Sequence, residues 1–364
     1  MKNQINNNDS SFIGNMSYFH YDNKIRLDVK DLKILFELSI NPRFSLSSIA
    51  KRIGLPRETV AYRIEQLKKR KIITGSIAVI NPLALGFSNL EIYIKLKNFT
   101  QEIKKNLIDY FINNNNVRWV VEVGGKWDIG IIILSKDSNE LYSLLNEIKL
   151  KLGEHFDNFE YFNYFEERFT YYGFFLYEKN DLSIIKRLNS PIKADYSSFQ
   201  KEFLSSNKSS SFILDDFDKK LIKEIETDAM IPIASLSRKL KVSHNTVFNH
   251  FRELVKNNVI ISIFPMLSIS LLGLEWHQVF LNFKFTSPSH EKSFINFCIA
   301  HPYIVYYLKY IDKFNYKISI FAKNTHHLNE ILLDIRNSFS EVLISYESFI
   351  IFQQHKFSYV SSIK

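Results

Sequence analysis

Leu46–Lys71, LSSIAKRIGLPRETVAYRIEQLKKRK, is the stretch on which the fold turns. Leu46, Ile49, Ala50 and Ile53 recur at helical spacing and give a short amphipathic helix. The helix stops at Gly54, a residue free to adopt the left-handed conformation in which helices commonly end. Pro56 suits the first position of a second helix, whose inward stripe is Val60, Ile64 and Leu67. Upstream, Asp28 and Asp31 place carboxylates at the start of an earlier helix that continues through Leu32, Leu35 and Phe36. Downstream, Ile72 to Ile80 alternates loosely and reads as a β wing.

Two short helices around a glycine turn, the second polar at its N-terminal end, match a reading head for the DNA major groove. Arg57, Glu58, Ala61, Tyr62 and Glu65 face outward, with Arg57 and Glu58 placed to reach bases and Thr59 a further candidate for DNA contact. Lys51, Arg52, Arg63, Lys68 and Lys69, with Arg70 and Lys71, are placed to neutralise phosphates. The same scaffold also serves protein docking. Charge favours DNA: residues 27–75 hold 11 Lys/Arg against 5 Asp/Glu, a net of +6.

The stretch recurs. A constant shift of 187 residues aligns it with IASLSRKLKVSHNTVFNHFRELVKNN, residues 233–258. The register pairs Asp28 with Asp215, Thr59 with Thr246, Leu67 with Leu254 and Gly86 with Gly273. It continues through Lys97 and Lys284, Trp119 and Tyr306, Asp128 and Asn315, and Ile148 and Ile335. One register held across changing periodicity indicates duplication. The second recognition helix starts at Ser243, a good N-cap, and presents His244, Asn245, Phe248, Asn249 and Arg252. Asn is a competent adenine reader. Residues 215–262 hold 8 Lys/Arg against 7 Asp/Glu, so a weaker grip on phosphates is expected. No convergent carboxylate or cysteine accompanies His244 and His250, and no metal site is expected.

After each head the pattern changes to βαββαβ: strands at Leu90 to Lys97, Val117 to Val123, Asp128 to Leu134 and Phe159 to Phe165, with helices at Gln101 to Ile112 and Asn139 to Leu152. Phe169 to Tyr177 is aromatic and strand-like. The expected class is α+β. The expected domains are an Asn-rich disordered tail (1–26), a winged helix-turn-helix (27–82), a ferredoxin-like domain (83–180), a Ser/Lys-rich linker (181–212), a second winged helix-turn-helix (213–270) and a second ferredoxin-like domain (271–364). The 364 residues carry a formal charge of +9 and a pI near 9.2, a bias toward acidic partners. The single cysteine, Cys298, excludes an internal disulfide. With no apolar run long enough to span a bilayer, a cytoplasmic protein without a membrane partner is expected.

Leu27, Asp28, Asp31, Arg43, Ile49-Ala50, Thr59-Val60, Arg63-Ile64, Leu67 and Ile73 resemble the Lrp/AsnC transcriptional regulators. That resemblance implies a winged helix joined to a βαββαβ domain, called RAM, that dimerises and senses amino acids or other small metabolites. Gly124-Gly125-Lys126-Trp127-Asp128 is similar to the family's Gly-x-aromatic-Asp turn, which makes Gly125 and Asp128 candidates for effector contact. A plain hairpin turn capped by Asp is the alternative. The second copy departs from the pattern: Asp312 and Asn315 replace Gly125 and Asp128, Met230 replaces Arg43, and His250 replaces Arg63. Typical members have one copy, so the tandem form suggests two RAM-like sheets paired within the chain as a pseudo-dimer, with a homodimer of such units also open. No cofactor and no catalytic residues are expected. The same architecture occurs in siroheme decarboxylases, and for that enzyme alternative His290, His301, His326, His327 and Arg336 are the candidate groups.

Overall fold

The computed structural model describes residues 16–17, 25–177, 212–284 and 287–359. The expected tail and linker therefore lie outside the described residues, except for 16–17, Ile25, Arg26 and Phe212. After a two-residue strand β1 (Met16–Ser17), the first copy runs α1 (Val29–Ile40), α2 (Leu46–Ile53), α3 (Arg57–Lys69), β2 (Ile73–Ile80), β3 (Ser88–Leu96), α4 (Gln101–Asn113), β4 (Val117–Gly124), β5 (Ile129–Ser135), α5 (Ser138–Leu152), β6 (Phe156–Phe169) and α6 (Phe174–Tyr177). The second runs α7 (Asp216–Thr227), α8 (Ile233–Leu240), α9 (His244–Lys256), β7 (Ile260–Leu267), β8 (Glu275–Phe283), α10 (Pro288–Ala300), β9 (Ile304–Tyr310), β10 (Tyr316–Ala322), α11 (Thr325–Ser338) and β11 (Leu343–Phe357). Adding 187 to the bounds of α1, α2, α3, β2, β3, α4 and β5 gives those of α7, α8, α9, β7, β8, α10 and β10.

The helix ends follow from their capping chemistry. Asp28 accepts from Asp31 N at 2.8 Å, Ser45 from Ser48 N at 3.1 Å, and Ser243 from Thr246 N at 3.0 Å. Gly54 closes α2 at φ 70°. Pro56 is the N-cap of α3 rather than its first helical residue: its backbone is extended at ψ 144°, while its carbonyl accepts from Val60 N at 3.1 Å.

The expected wing is not a hairpin of one head. β2 lies antiparallel to β7 of the other copy, pairing Ile73 with Leu267, Ile77 with Phe264 and Ile80 with Ile260. Residues 76–80 are buried on both faces, so a solvent-facing wing would expose them, and the equivalent strand supplies the missing backbone partners. Ile77 and Phe264 are themselves equivalent under the shift, so a pseudo-dyad passes between them.

The two ferredoxin-like sheets also join. β6 pairs first with β3 and then, from Tyr164 onward, with β9; β11 pairs first with β8 and then, from Ile350 onward, with β4. The ring β4-β5-β3-β6-β9-β10-β8-β11 closes into an eight-stranded antiparallel barrel. Closure removes the open edges that either sheet alone would present. On the outside, α4 and α5 cover Ile92, Ile94, Val120, Ile131 and Ile133. α10 covers the second half, with Phe294 against Tyr316 at 4.8 Å and against Phe283 at 4.6 Å.

The segment expected as a strand from Phe169 to Tyr177 turns instead. Thr170 N continues the strand pairing across the copies, donating to Val305 O at 3.1 Å. Gly173 then passes so close to Pro302 that an added Cβ would lie 2.9 Å from its Cα. The segment packs on α1, with Tyr171 edge-on to Phe36 at 5.8 Å and Tyr172 N donating to Ser39 Oγ at 3.1 Å. Among the described residues no helix is long and apolar enough to cross a membrane.

Candidate nucleic-acid interface

Val60, Ile64 and Leu67 bury the inner face of α3, which turns Arg57, Glu58 and Tyr62 to solvent; Tyr62 is 65% exposed. Among the described residues Arg57 has only the neighbouring Glu58 as an ionic partner, at 3.5 Å, and both side chains are exposed. Thr59 is half-buried, while Lys51 and Lys69 are exposed. Lys68 is also exposed, with Glu65 one turn away at 3.4 Å. Arg57, Glu58 and Tyr62 in the first half of α3 and Lys68 and Lys69 in its last turn face outward, with Lys51 exposed on α2.

Arg52 and Arg63 differ. Arg52 donates to Glu37 at 2.6 Å and lies over the Phe44 ring at 4.8 Å. Arg63 donates to Asp31 at 2.8 Å and Asp28 at 2.7 Å. The hydrogen bond to Asp31, and then that to Asp28, raises the Arg63 guanidinium above its ordinary value. Both arginines tie the head's own helices together.

On α9, His244, Asn245, Phe248, Asn249 and Arg252 are exposed. His250 occupies the place of Arg63, with Nδ1 2.8 Å from Asp218 and 3.9 Å from Asp215. The expectation that no carboxylate converges on His250 is thereby corrected, because the first helix delivers two carboxylates that lie 32 and 35 residues away in sequence. Asp215 and Asp218 are already engaged in a reciprocal cap of α7, so the trio reads as the counterpart of Asp28, Asp31 and Arg63.

Behind the heads lies a joint that sequence reasoning missed. Arg43 reaches from the first head to the second, donating to Ala229 O at 2.8 Å and lying 4.7 Å over the Phe251 ring of α9. Ser76 of β2 donates to Asp228 at 2.8 Å and accepts from Met230 N at 3.0 Å. The ribbon and these contacts hold the two heads in one relation.

The hairpin candidates lie elsewhere, at one mouth of the barrel. Gly125 takes φ 109°. Asp128 accepts from Leu96 N at 2.9 Å and lies 3.2 Å from Lys95 Nζ. Asn315 makes the same bond to Phe283 N, the equivalent of Leu96. Lys126 between them bridges Glu160 at 3.0 Å and Glu347 at 3.3 Å, two carboxylates related by the shift. In both copies, then, the turn anchors strands, and in the first copy Lys126 also joins the halves.

Two charged networks are sealed inside. Lys317 donates to Glu91, which also accepts from Tyr93 at 2.8 Å and from Tyr310. Arg118 donates to Glu167 at 3.0 Å, and Tyr306 donates to the same carboxylate at 3.0 Å. The signal for them in the sequence is a lone charge at a barrel-facing strand position, as in Leu90-Glu91-Ile92 and Val117-Arg118-Trp119. Between the ribbon and the barrel lies a cavity of about 110 Å³, lined among others by Trp119, Trp276, Phe264 and Lys317.

The groups weighed for an enzyme lie away from this interior. His301 caps the end of α10, where burial pulls it down to about 4. His326 and Arg336 are exposed on α11, His327 packs on Tyr303 at 4.3 Å, and His290 is half-buried on α10. None lines the cavity.

Residues 27–68 match the AsnC-type helix-turn-helix domain, and residues 214–261 match a winged helix-turn-helix DNA-binding model. The HTH-type transcriptional regulator FL11 of Pyrococcus abyssi is 34% identical over 127 residues, covering 34% of this chain and 82% of the relative. The HTH-type transcriptional regulator Ptr1 of Methanocaldococcus jannaschii is 34% identical over 125 residues, covering 33% of this chain and 80% of the relative. Among solved structures, the siroheme decarboxylase NirDL superposes with a TM-score of 0.57 at 10% identity, covering 92% of this chain and 94% of that one. At that identity the likeness is one of fold.

Proposed function

The chain belongs to the Lrp/AsnC family of DNA-binding transcriptional regulators, and on that premise we propose that it reads an asymmetric DNA site with two unequal heads held in one polypeptide. The observation that carries this reading is the contrast between the heads on a shared frame. α2 and α3 present Lys51, Arg57, Lys68 and Lys69, whereas α9 presents mainly neutral polar residues with Arg252 and Lys256, in a head whose cations are nearly balanced by carboxylates. Phosphate contacts supply most of the affinity, so the first head is the main anchor and the second adds base readout through Asn245 and Asn249. Thr59, Tyr62, Glu58 and His244 complete the reading surfaces. Arg52 and Arg63 contribute by holding the first head's shape.

The frame is an intrachain pseudo-dimer of the RAM-like halves, and the proposal places the protein in the cytoplasm, where its DNA is. A response to an amino acid or another small metabolite belongs to the same reading, with Gly125 and Asp128 as the family-derived contacts. Their engagement in strand anchoring means that an effector there would act by loosening the barrel mouth.

The fold of NirDL raises the enzyme reading, but the interior argues against it. A macrocycle bearing several carboxylates needs a large basic pocket, and this cavity is about 110 Å³ with one ammonium already paired to Glu91. The test is selection of DNA fragments by the purified full-length chain. Recovery of a common sequence, lost for Arg57→Ala, is the expected result. Fragments recovered without sequence preference would refute the reading.

A further inference from the structure

The cavity between ribbon and barrel has a counterpart across the pseudo-dyad, and the counterpart is filled. There Arg118, fully buried, pairs with Glu167 and lies 4.5 Å over the ring of Tyr359. On the open side the equivalent residues are Val305, Gln354 and Tyr172, all three of which line the cavity. Exchange of an arginine and its carboxylate for valine and an amide removes a guanidinium's volume and both charges. What remains is a space of about 110 Å³ that is partly open to solvent, smaller than the closed apolar cavity of about 150 Å³ that admits benzene, so it takes no more than a single ring.

Gln354, Ser319 and Lys317 bring hydrogen-bond donors to this cavity. Gln354 commits its carbonyl oxygen to Trp119 Nε1 at 3.0 Å, which leaves its amide N–H groups. Ser319 Oγ is buried, at 1% exposure for the residue, and has no hydrogen-bond partner among the described residues, a costly arrangement unless something fills the space beside it. Lys317 spends two of its three N–H groups on Glu91 and Tyr93. No Asp or Glu lines the cavity. The remaining walls are mostly aromatic, including Trp276, Phe264 and Phe321.

We propose that this cavity is a binding site for a single-ring aromatic carboxylate, its ring held between the aromatic walls and its oxygens accepting from Ser319, Gln354 and Lys317. A free amino acid is disfavoured, because its ammonium would find no carboxylate. Ile77 and Phe264, the dyad residues of the ribbon, form part of the wall, so the bound ring braces the ribbon that carries both heads.

The test titrates benzoate into the full-length protein without DNA and follows tryptophan fluorescence, since Trp119 and Trp276, two of the chain's three tryptophans, line the cavity. The expected result is a saturable change with benzoate and a response to phenylalanine weaker by at least about tenfold, the worth of one hydrogen bond to a charged group. Ser319→Ile, which installs the residue found at the equivalent position Ile132, abolishes the benzoate response. Val305→Leu, a milder filling of the same space, weakens it by a similar factor and serves if the first variant does not fold. No saturable change, an equal response to phenylalanine, or an undiminished response in a folded cavity-filling variant would overturn the proposal. Because the readout contains no DNA, its failure is separate from any failure of the regulatory reading.

Discussion

Lys317 of the second copy donates to Glu91 of the first inside the barrel, and the two side chains are 1% and 0% exposed. Their equivalents are Gly130 and Gln278. A Cβ at Gly130 would lie 2.9 Å from Tyr93 Cε1 and 2.9 Å from Val121 Cγ2, so a lysine there has no room. A pair of first copies would bury two carboxylates without an ammonium, and a pair of second copies the reverse. The halves have become complementary and are no longer interchangeable.

Removing one member of this pair strands the other in a low-dielectric interior. Lys317→Met is therefore expected to cost about 3–5 kcal/mol of stability. Glu91→Gln combined with Lys317→Met should recover most of that loss. Guanidinium denaturation of the two variants measures it, and additive losses would rule out the coupling.

The interior was the least legible part of the sequence, and the heads the most. Gly54 and Ser243 carry their capping chemistry within four residues, so α2 and α9 could be placed from local pattern. Ile72 to Ile80 could not, because the backbone partners that turn a wing into a ribbon lie 180 to 194 residues away. The same holds for β6: Phe159 to Phe165 was visible as alternation, whereas its extension to Phe169 depends on β9 of the other copy. Arg52 and Arg63 were visible as basic residues on reading helices, but their pairing with Glu37, Asp28 and Asp31 required the fold. The effector candidates were visible only by resemblance, and Asp128 has an anchoring task that its neighbours Gly124 to Trp127 do not announce.

Arg57 and Arg63 are expected to fail differently. Arg57→Ala should weaken DNA binding by about 1–3 kcal/mol at unchanged melting temperature, the usual worth of a good base contact. Arg63→Ala should lower the melting temperature, because it leaves Asp28 and Asp31 without their cation. Thermal melts beside gel shifts at fixed salt separate the two. Asn245→Ala with Arg252→Ala should cost less than Arg57→Ala.

Arg43 couples the heads through Ala229 O and the Phe251 ring. Arg43→Ala is expected to remove about 1–2 kcal/mol of that coupling. Affinity for DNA spanning both heads should fall, while affinity for a half-length site stays near the native value. Equal losses on both DNAs would place Arg43 in simple phosphate binding.

Acid should open the β4–β11 seam. The His355 hydrogen bond first, with that of Lys104, holds the Glu122 carboxyl at about 2, below its ordinary 4.5. The folded value is the lower one, so its stabilisation is complete above about pH 4.5 and is lost as pH falls toward 2. Urea midpoints measured through that window should fall less steeply for Glu122→Gln than for the native chain. Parallel curves would remove Glu122 from the acid response.

One chain is expected to present two unequal reading heads to one DNA site. Footprinting of the full-length protein on a DNA fragment selected for binding tests it most directly. An asymmetric site is predicted, with one half strongly protected and that half lost in Arg57→Ala. A palindromic site with both halves equally protected, unchanged in pattern by Arg57→Ala, would contradict it.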